Sequence, residues 1–391
     1  MVLDCDVLVV GGGPAGCSAA RAAAMKGAKT ILIEKKDEIG KEVKCAEGIG
    51  AFLFPYLPFQ IPKEQLIWKM DGIFFWTDDI SIEKTGDFWR SYSVDRGHFD
   101  KWLSKLAIES GVEVLTHTEL TDLTLKEENT VDKAIVRKKG KSIDINVKSV
   151  IAADGAESTV LQLLNLYYPK KGDLADVYSW EMRNVELYKP HFEQIFTGEF
   201  TPRGYAYIFP KGKKIANIGV GGIYPERKLE QYFEEFIELP HVKKQVKHAQ
   251  YAIEKSKKAV FNDLTDEWLY GNVLLAGDVA NQNLKPFIEG ILPSVICGDI
   301  AGKLSYDLCT KKSIDTDYYQ KKVMQKIGEH FTFSHELLKV INYLYKKKGK
   351  EKYLQFFGLV TELFNQEDLQ ETETLDYEEI KARLVNRIHE M

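Results

Sequence analysis

The sequence predicts an α/β protein, α+β overall, in which a Rossmann-type domain is interleaved with an antiparallel sheet and followed by a helical C-terminal region. Three observations support this fold class: a glycine-rich turn between two short apolar runs near the N-terminus, aromatic strand-like segments between residues 177 and 222, and amphipathic helical spacing from Tyr318 onward. The 391 residues are enough for two or three domains.

The predicted domains are discontinuous along the chain. The Rossmann-type domain takes segments 1–65, 92–165 and 270–310, the antiparallel-sheet domain takes 66–91 and 166–269, and the helical region takes 311–391. The first domain carries the glycine-rich turn and the second carries the aromatic strands. We therefore expect a cofactor to bind to the first domain and a substrate to bind to the second.

Composition and charge are those of an ordinary globular protein. Apolar residues make up 44% of the chain and charged residues 28%. The net charge of −5 is spread over segments of mixed sign and lacks the basic excess that binds phosphate backbones, so we expect no nucleic-acid partner. The five cysteines lack CxxC spacing, which indicates a reducing compartment and no structural metal.

The N-terminal segment lacks the pattern of a secretory signal, and no apolar run in the chain reaches transmembrane length. We expect a cytoplasmic protein, with peripheral attachment to the cytoplasmic membrane as the alternative. The alternative depends on a basic cluster at residues 346–350, which is either a solvated loop or a contact for anionic lipid headgroups. The membrane interpretation uses the neighbouring apolar residues Tyr343, Leu344, Tyr345, Phe356 and Phe357.

The glycine-rich turn GGGPAG follows an apolar run at 5–10 and opens an alanine-rich helix, after which a second apolar run occupies 30–33. This order of strand, turn, helix and strand is the context that a dinucleotide-binding fingerprint requires. Gly11, Gly13 and Gly16 fit GxGxxG, which provides a tight turn, close approach of a pyrophosphate and close helix packing. Glu34 follows Gly16 by eighteen positions, where a carboxylate binds ribose hydroxyls. The pattern predicts the ADP-binding site of FAD, the alternative being an ordinary strand–helix turn.

Further elements follow in order. The loop at 44–50, which contains Cys45, is rich in small residues and is typical of a segment that lies against a ligand. The alternative for Cys45 is a buried thiol without chemistry. We predict aromatic strands at 68–89, a helix after Arg96 and a hairpin whose strands at 133–137 and 143–147 join across Lys139 and Gly140. Apolar strands at 150–153 and 272–276 end in Asp154 and in Gly277-Asp278, and helical spacing returns at 228–246.

The segment 205–210 reads Tyr-Ala-Tyr-Ile-Phe-Pro, and an eight-residue spacer separates it from Gly219-Val220-Gly221. Because alternate residues of a strand point to one face, Tyr205, Tyr207 and Phe209 are expected to form one aromatic wall. Such a wall suits a long isoprenoid chain. The alternative is the hydrophobic core of a sheet.

With these motifs in order along nearly the whole chain, the sequence resembles the geranylgeranyl reductase family, within the wider group of flavoproteins built like p-hydroxybenzoate hydroxylase. The glycine turn with Glu34 looks like the family's ADP site, and Cys45 to Gly48 looks like its cysteine-containing flavin loop. The segment 205–221 resembles its aromatic and GxG signature, with Tyr207 where a tryptophan is common. After GDVA the family's proline and triple glycine are replaced by residues 285–291, Lys-Pro-Phe-Ile-Glu-Gly-Ile, which place Glu289 beside the expected flavin.

The resemblance implies a set of site residues. Expected FAD contacts are Gly11, Gly13, Ala15, Gly16, Glu34, Cys45, Ala46, Gly48, Arg96, Leu120, Asp154, Gly277, Asp278, Gly290 and Ile291. Expected substrate contacts are Tyr205, Tyr207, Phe209, Pro210, Gly219 and Gly221. Cys45, Tyr205 and Tyr207 are candidate proton donors, and the residues alone do not choose among them.

The resemblance also implies an activity: reduction of isolated double bonds in geranylgeranyl chains, in first place those of archaeal ether phospholipids, with a geranylgeranyl diphosphate as another substrate. Ferredoxin, a nicotinamide and a deazaflavin all remain candidate electron donors. One rival is an FAD-dependent monooxygenase or halogenase of the same fold, although Cys17 replaces the halogenases' tryptophan after the glycine turn. The other is an electron-transfer flavoprotein dehydrogenase, which the scattered cysteines disfavour.

Overall fold

The computed structural model describes residues 2–127, 130–166, 173–310, 315 and 317–390. A mainly parallel sheet forms the centre of the first layer, and only its edge strand β20 pairs antiparallel within these residues. Its apolar runs are buried on both faces, as parallel strands between helices require. The order across this sheet is β20 (Leu269–Tyr270), β21 (Val273–Leu275), β13 (Ser149–Ala152), β2 (Val7–Val10), β3 (Thr30–Ile33) and β9 (Glu113–Leu115).

Helices cover the central sheet: α1 (Pro14–Met25), α2 (Arg96–Glu109), α3 (Thr159–Leu163) and α6 (Ile291–Thr310). The helices α1 and α6 approach each other very closely because glycine and alanine lie at their contact. A Cβ on Gly298 would stand 2.3 Å from the Ala15 carbonyl oxygen, and one on Gly302 would stand 2.0 Å from that of Ala19. This contact fixes the start of α6 beside the glycine turn that opens α1.

A second sheet contains the predicted hairpin. β11 (Thr130–Lys138) and β12 (Lys141–Asn146) pair antiparallel across Lys139 and Gly140, which both have positive φ, and β10 (Thr118–Glu127) pairs with the outer side of β11. The other edge is β1 (Val2–Asp4), which runs parallel to β12. The sequence pattern predicted the hairpin but not β1, because β1 is short and part-exposed.

The large sheet was predicted to be antiparallel, and this is wrong at one position: β15 and β6 pair in parallel. The connection between these strands is long, so turn signals could not reveal their relative direction. Its order is β18 (Gln250–Glu254), β14 (Leu174–Arg183), β17 (Ile215–Gly222), β16 (Gly204–Gly212), β15 (Phe192–Thr197), β6 (Gly72–Thr77) and β7 (Ile80–Thr85), with β19 (Lys257–Val260) also paired to β14.

Helices cover both faces of the large sheet. One face packs against α4 (Leu229–Glu238) and α5 (Pro240–Val246). The other face packs against the C-terminal helices α7 (Tyr318–Leu344), α8 (Glu351–Val360), α9 (Gln366–Glu371) and α10 (Tyr377–His389). A small sheet of β4 (Gly48–Gly50), β8 (Ser91–Ser93) and β5 (Trp68–Met70) connects the two large layers.

The basic cluster at 346–350 lies in the connection between α7 and α8. The apolar part of its predicted membrane contact is wrong for four of five residues: Leu344, Tyr345, Phe356 and Phe357 are at most 4% exposed. They pack into the core between the C-terminal helices and the large sheet, and only Tyr343 of the five is exposed. The domain boundary predicted between residues 310 and 311 falls at the edge of residues 311–314, which are outside the described part of the chain.

Candidate functional site

The glycine turn fits a pyrophosphate for steric reasons. A Cβ on Gly11, which has φ +106°, would stand 2.4 Å from the Ala153 carbonyl oxygen, and one on Gly16 would stand 1.9 Å from the Gly11 carbonyl oxygen. A Cβ on Gly13 would instead have no heavy atom of the described residues within 4 Å. Gly11 and Gly16 therefore shape the turn, whereas Gly13 leaves open space at the N-terminus of α1, where free N–H groups attract anions.

Glu34 is held at the end of β3 by the backbone. Its Oε2 accepts a hydrogen bond from the Gly12 N–H at 2.9 Å, and its Oε1 accepts one from the Lys36 N–H at 2.9 Å. The carboxylate faces a groove of about 310 Å³. Of the predicted cofactor contacts, this groove is lined by Gly11, Gly13, Ala15, Glu34, Leu120, Asp154 and Asp278.

Asp154 also has a structural role at the groove. Its carboxylate accepts hydrogen bonds from the Ser158 hydroxyl at 2.7 Å and from the Val160 N–H at 3.1 Å, which fixes the start of α3. Burial raises the pKa of Asp154, and these hydrogen bonds oppose the rise. At the other side of the groove Gly277 has φ +84°, and a Cβ there would stand 2.9 Å from the Ala15 Cβ.

A larger cavity of about 610 Å³ lies between the large sheet, the loop at 45–50 and the loop before α6. Tyr205, Tyr207 and Phe209 form one wall of it, as the alternation in β16 predicts. The ring centroids of Tyr207 and Phe209 are 4.6 Å apart, and those of Tyr205 and Tyr207 are 6.1 Å apart. The predicted flavin contacts Cys45, Ala46, Gly48, Gly290 and Ile291 line the same cavity.

Three of the predicted substrate contacts are not on the cavity wall. Pro210, Gly219 and Gly221 lie within the paired strands β16 and β17, and their direct contact with a substrate stays a prediction. Gly219 has a different role. A Cβ at that position would stand 2.8 Å from the Tyr207 hydroxyl oxygen and 2.4 Å from the Ser179 Cβ, so glycine makes room for the tyrosine ring.

The loop that carries Cys45 is fixed by a buried cluster of charges centred on Glu47. Glu47 is 2% exposed and has φ +67°. Its carboxylate lies 2.6 Å from the Lys211 Nζ and 3.3 Å from the Lys255 Nζ, and Lys211 lies 2.7 Å from Glu181. The Asn217 amide donates to the Ala46 carbonyl at 2.7 Å and to Glu47 at 3.1 Å. The loop is therefore attached to β16 and β17, the strands of the aromatic signature.

Arg96 lies beside this loop but outside both cavities. Its guanidinium makes two hydrogen bonds of 2.8 Å to the buried carboxylate of Asp100, one turn along α2, and also contacts the Cys45 side chain. Arg96 therefore positions the Cys45 loop, and its contact with the cofactor stays a prediction. The Arg96 backbone N–H reinforces this by donating to Glu47 at 3.1 Å.

Two cavity carboxyls titrate far from their ordinary range. Burial raises the pKa of Glu289 to about 7, although its carboxylate accepts hydrogen bonds from the Gly50 and Leu292 N–H groups at 3.2 and 3.3 Å. Burial also raises the pKa of Glu193, on β15, to about 7. The sequence pattern indicated Glu289 but not Glu193, although a lone acid within an aromatic strand was a signal that could have revealed it.

Lys285 is a second residue that the sequence analysis left without a role. It is 5% exposed, and its ammonium donates to the Asn281 and Asn283 carbonyls at 3.0 and 3.2 Å. Burial lowers the pKa of Lys285 to about 8, and the nearby Asp278 opposes the shift. The lysine therefore holds the loop between the GDVA motif and α6.

The rim of the larger cavity has exposed aromatic side chains. Phe88 is 48% exposed and Phe333 is 57% exposed, and both line the cavity. Among the described residues, none of the helices combines the length and apolarity needed to cross a bilayer.

Comparison with known proteins agrees with this geometry. A family model described as FAD dependent oxidoreductase matches residues 6–161, and one described as geranylgeranyl reductase catalytic domain matches residues 173–258. A digeranylgeranylglycerophospholipid reductase from Methanocaldococcus jannaschii is 35% identical over 304 residues, which are 77% of this chain and 76% of that protein.

Solved structures show the same likeness. A geranylgeranyl bacteriochlorophyll reductase-like protein from Thermoplasma acidophilum matches with a TM-score of 0.77 and 25% identity, covering 99% of this chain and all (100%) of that one. A myxobacterial FAD-dependent chondrochloren halogenase matches with a TM-score of 0.69 and 16% identity, covering 85% of this chain and 82% of that one. The second likeness shows the fold alone.

Proposed function

The chain belongs to the digeranylgeranylglycerophospholipid reductase family and is an FAD-dependent oxidoreductase, and from this premise we propose that it saturates isolated double bonds in geranylgeranyl chains of ether phospholipids. The observation that carries the proposal is the cavity of about 610 Å³, which joins an aromatic wall to the loop expected at the flavin. An isoprenoid chain is apolar and long, and it can be enclosed by such a wall. The second substrate expected from the sequence, a geranylgeranyl diphosphate, shares the same chain.

The residues present fit FAD. The open space at Gly13, the N-terminus of α1 and the Glu34 carboxylate suit the pyrophosphate and ribose of the ADP half. Cys45 to Gly48 and Gly290-Ile291 are proposed to hold the flavin ring, since they line the larger cavity next to the aromatic wall. When bound and reduced, FAD supplies the hydride for alkene reduction.

The chain's own residues have three tasks in this reaction. The aromatic wall excludes water and orients the alkene, because an unactivated double bond reacts only when it is well placed. The Glu47 cluster holds the Cys45 loop against β17. A proton must also reach the alkene carbon that does not receive the hydride. Of the donors predicted from the sequence, Tyr205 is disfavoured, since its hydroxyl already donates to the Phe287 carbonyl at 2.8 Å.

The activity is tested by reducing the purified enzyme chemically under anaerobic conditions and adding geranylgeranylated phospholipid. Chemical reduction replaces the physiological donor, for which ferredoxin, a nicotinamide and a deazaflavin remain the candidates. Flavin absorbance should return as the lipid gains two hydrogens per double bond, measured by mass spectrometry. A monooxygenase or halogenase would leave the alkene unchanged without oxygen, and that result would contradict the proposal.

We also propose that the protein associates peripherally with the membrane from which its lipid is drawn. The exposed rings of Phe88 and Phe333 at the cavity rim support this location, because apolar residues insert at the boundary between headgroups and acyl chains. Cosedimentation with anionic vesicles should fall when both become glutamate. A triple change of Lys346, Lys347 and Lys348 to glutamate tests the basic cluster separately, and unchanged binding in both variants would contradict the proposal.

A further inference from the structure

Glu193 is an acid on the cavity wall that neither the glycine turn nor the aromatic signature explains. It lies on β15, two residues before Ile195, and both line the larger cavity. Its side chain is part-buried and borders the cavity. Its Oε1 lies 3.2 Å from the position that a Cβ on Gly48 would take, so the carboxyl stands directly against the loop expected at the flavin.

We propose that Glu193 is the acid that protonates the substrate alkene during reduction, an inference that rests on the proposed function. One alkene carbon receives hydride from the reduced flavin, the π bond breaks, and the other carbon takes the proton of the Glu193 carboxyl. Two C–H bonds form, and the glutamate is left as a carboxylate. Solvent returns the proton afterwards, and this is favoured because a carboxylate is costly in an apolar cavity.

The acidity of Glu193 suits this role better than that of the two tyrosines, whereas Glu289, whose pKa is also about 7, differs from it in its hydrogen bonds. A general acid works best when its pKa is close to the working pH, and the pKa of Glu193 is about 7. Burial raises the pKa values of Tyr205 and Tyr207 well above 10, which makes both phenols weak acids. The Glu289 carboxyl is held by two backbone N–H groups, one from the flavin loop and one from α6, so it serves to position that loop.

The groups around Glu193 set how it titrates. Tyr205 on β16 and Glu289 before α6 interact electrostatically with it, and the Ser91 hydroxyl on β8 lowers its pKa. The adjacent strand β6 contributes the apolar Ile73. Four cationic side chains also line the cavity, Arg90, Lys255, Lys257 and Lys285, but among the described residues no cationic side chain forms an ion pair with Glu193.

The test is anaerobic single turnover of the FAD-loaded, chemically reduced enzyme with geranylgeranylated phospholipid, over a range of about pH 5 to 9. The wild-type rate should fall by about tenfold per pH unit above the pKa of Glu193, because the acid must be protonated. Glu193→Gln should react roughly 100- to 10,000-fold more slowly, without this pH dependence. Glu193→Asp keeps an acid and should therefore retain the fall in rate at high pH.

Glu289→Gln is the matched control. It removes a neighbouring negative charge, so the fall in rate should move to lower pH but persist. An independent readout needs no turnover: infrared difference spectra of wild type against Glu193→Gln should show a protonated-carboxyl band that disappears as pH rises through about 7.

The possible failures are distinguishable. If the wild type reduces the lipid and Glu193→Gln reacts within about threefold of its rate, the inference is overturned and the proposed function stands. If the wild type leaves the lipid unreduced, both are overturned, while the infrared titration still reports whether the acid is protonated. If Glu193→Gln fails to retain FAD, the Glu193→Asp profile decides, and an absence of pH dependence there overturns the inference.

Discussion

Replacing Glu47 with glutamine should destabilise the protein strongly, because Glu47 neutralises buried lysines. The buried side chains of the cluster are two acids, Glu47 and Glu181, and two bases, Lys211 and Lys255, so their formal charges sum to zero. The exposed Arg183 also pairs with Glu181, at 3.6 Å. Glu47, Glu181 and Lys211 are each at most 7% exposed in their side chains. The substitution leaves a net charge of +1 in this interior. Breaking a buried pair on one side typically costs about 3–5 kcal/mol, and we expect a loss in that range.

The assay is equilibrium unfolding in guanidinium chloride with linear extrapolation, on FAD-free protein so that cofactor loss does not contribute. Glu238→Gln is the control, since it removes an exposed pair with Lys243 and should change stability by less than about 0.5 kcal/mol. The double change Glu47→Gln with Lys211→Met restores neutrality and should cost less than the single change. A loss below about 1 kcal/mol for Glu47→Gln alone would refute the reasoning.

Three further predictions follow from the two cavities. Glu34→Arg and Gly13→Val should each lower FAD occupancy in the purified protein. The first variant reverses the charge that faces the groove, and the second fills the open space at the turn. Full flavin absorbance in both variants would contradict the ADP-site assignment. Tyr207→Ala should retain FAD yet slow lipid-driven reoxidation, because it removes part of the aromatic wall; unchanged kinetics would contradict the placement of the alkene there. Glu193 and Glu289 bind protons more tightly when folded, so their contribution to the stability of the FAD-free protein should fall as pH rises from about 4.5 to about 7, by at most about 3 kcal/mol for each carboxyl. Thermal melts of the Glu193→Gln and Glu289→Gln double variant should be flatter across this window, and equal slopes in both proteins would count against the shifted pKa values.

Much of the fold could be predicted from local sequence patterns. The apolar runs of β2, β3 and β13 are short and continuous, as buried parallel strands require, and Lys139-Gly140 supplied the turn of the hairpin. The parallel pairing of β6 with β15 could not be predicted, since it joins segments more than a hundred residues apart. The amphipathic spacing of the C-terminal helices indicated one apolar face, but it could not show that the large sheet covers this face. For this reason Tyr345 and Phe357 were wrongly assigned to a membrane contact.

The site was predictable where its chemistry lies in a short motif. The glycine turn, Glu34 and the alternation in β16 each depend on spacing within one element, and the structure brings them to the two cavities. The lysines around Glu47 act through a partner far along the chain, so their roles have no local pattern. Glu193 had a local signal, a lone acid within an aromatic strand, but the cavity that it lines is assembled from distant segments. Arg96 was assigned to the cofactor because it begins a helix near the flavin loop, and its pairing with the buried Asp100 was not indicated by any local pattern.

A buried polar residue, Asn217, connects the aromatic wall to the flavin loop. Asn217 lies on β17 two residues before Gly219, and Gly219 is the position against which the Tyr207 ring rests. The same asparagine donates to the Ala46 carbonyl and to Glu47, so one short strand contacts both the wall and the loop. Hydride transfer to an unactivated alkene depends on distances that must hold to within a fraction of an ångström. Hydrogen bonds and buried ion pairs across this strand restrict relative movement of the two surfaces, whereas apolar packing alone would allow them to slide.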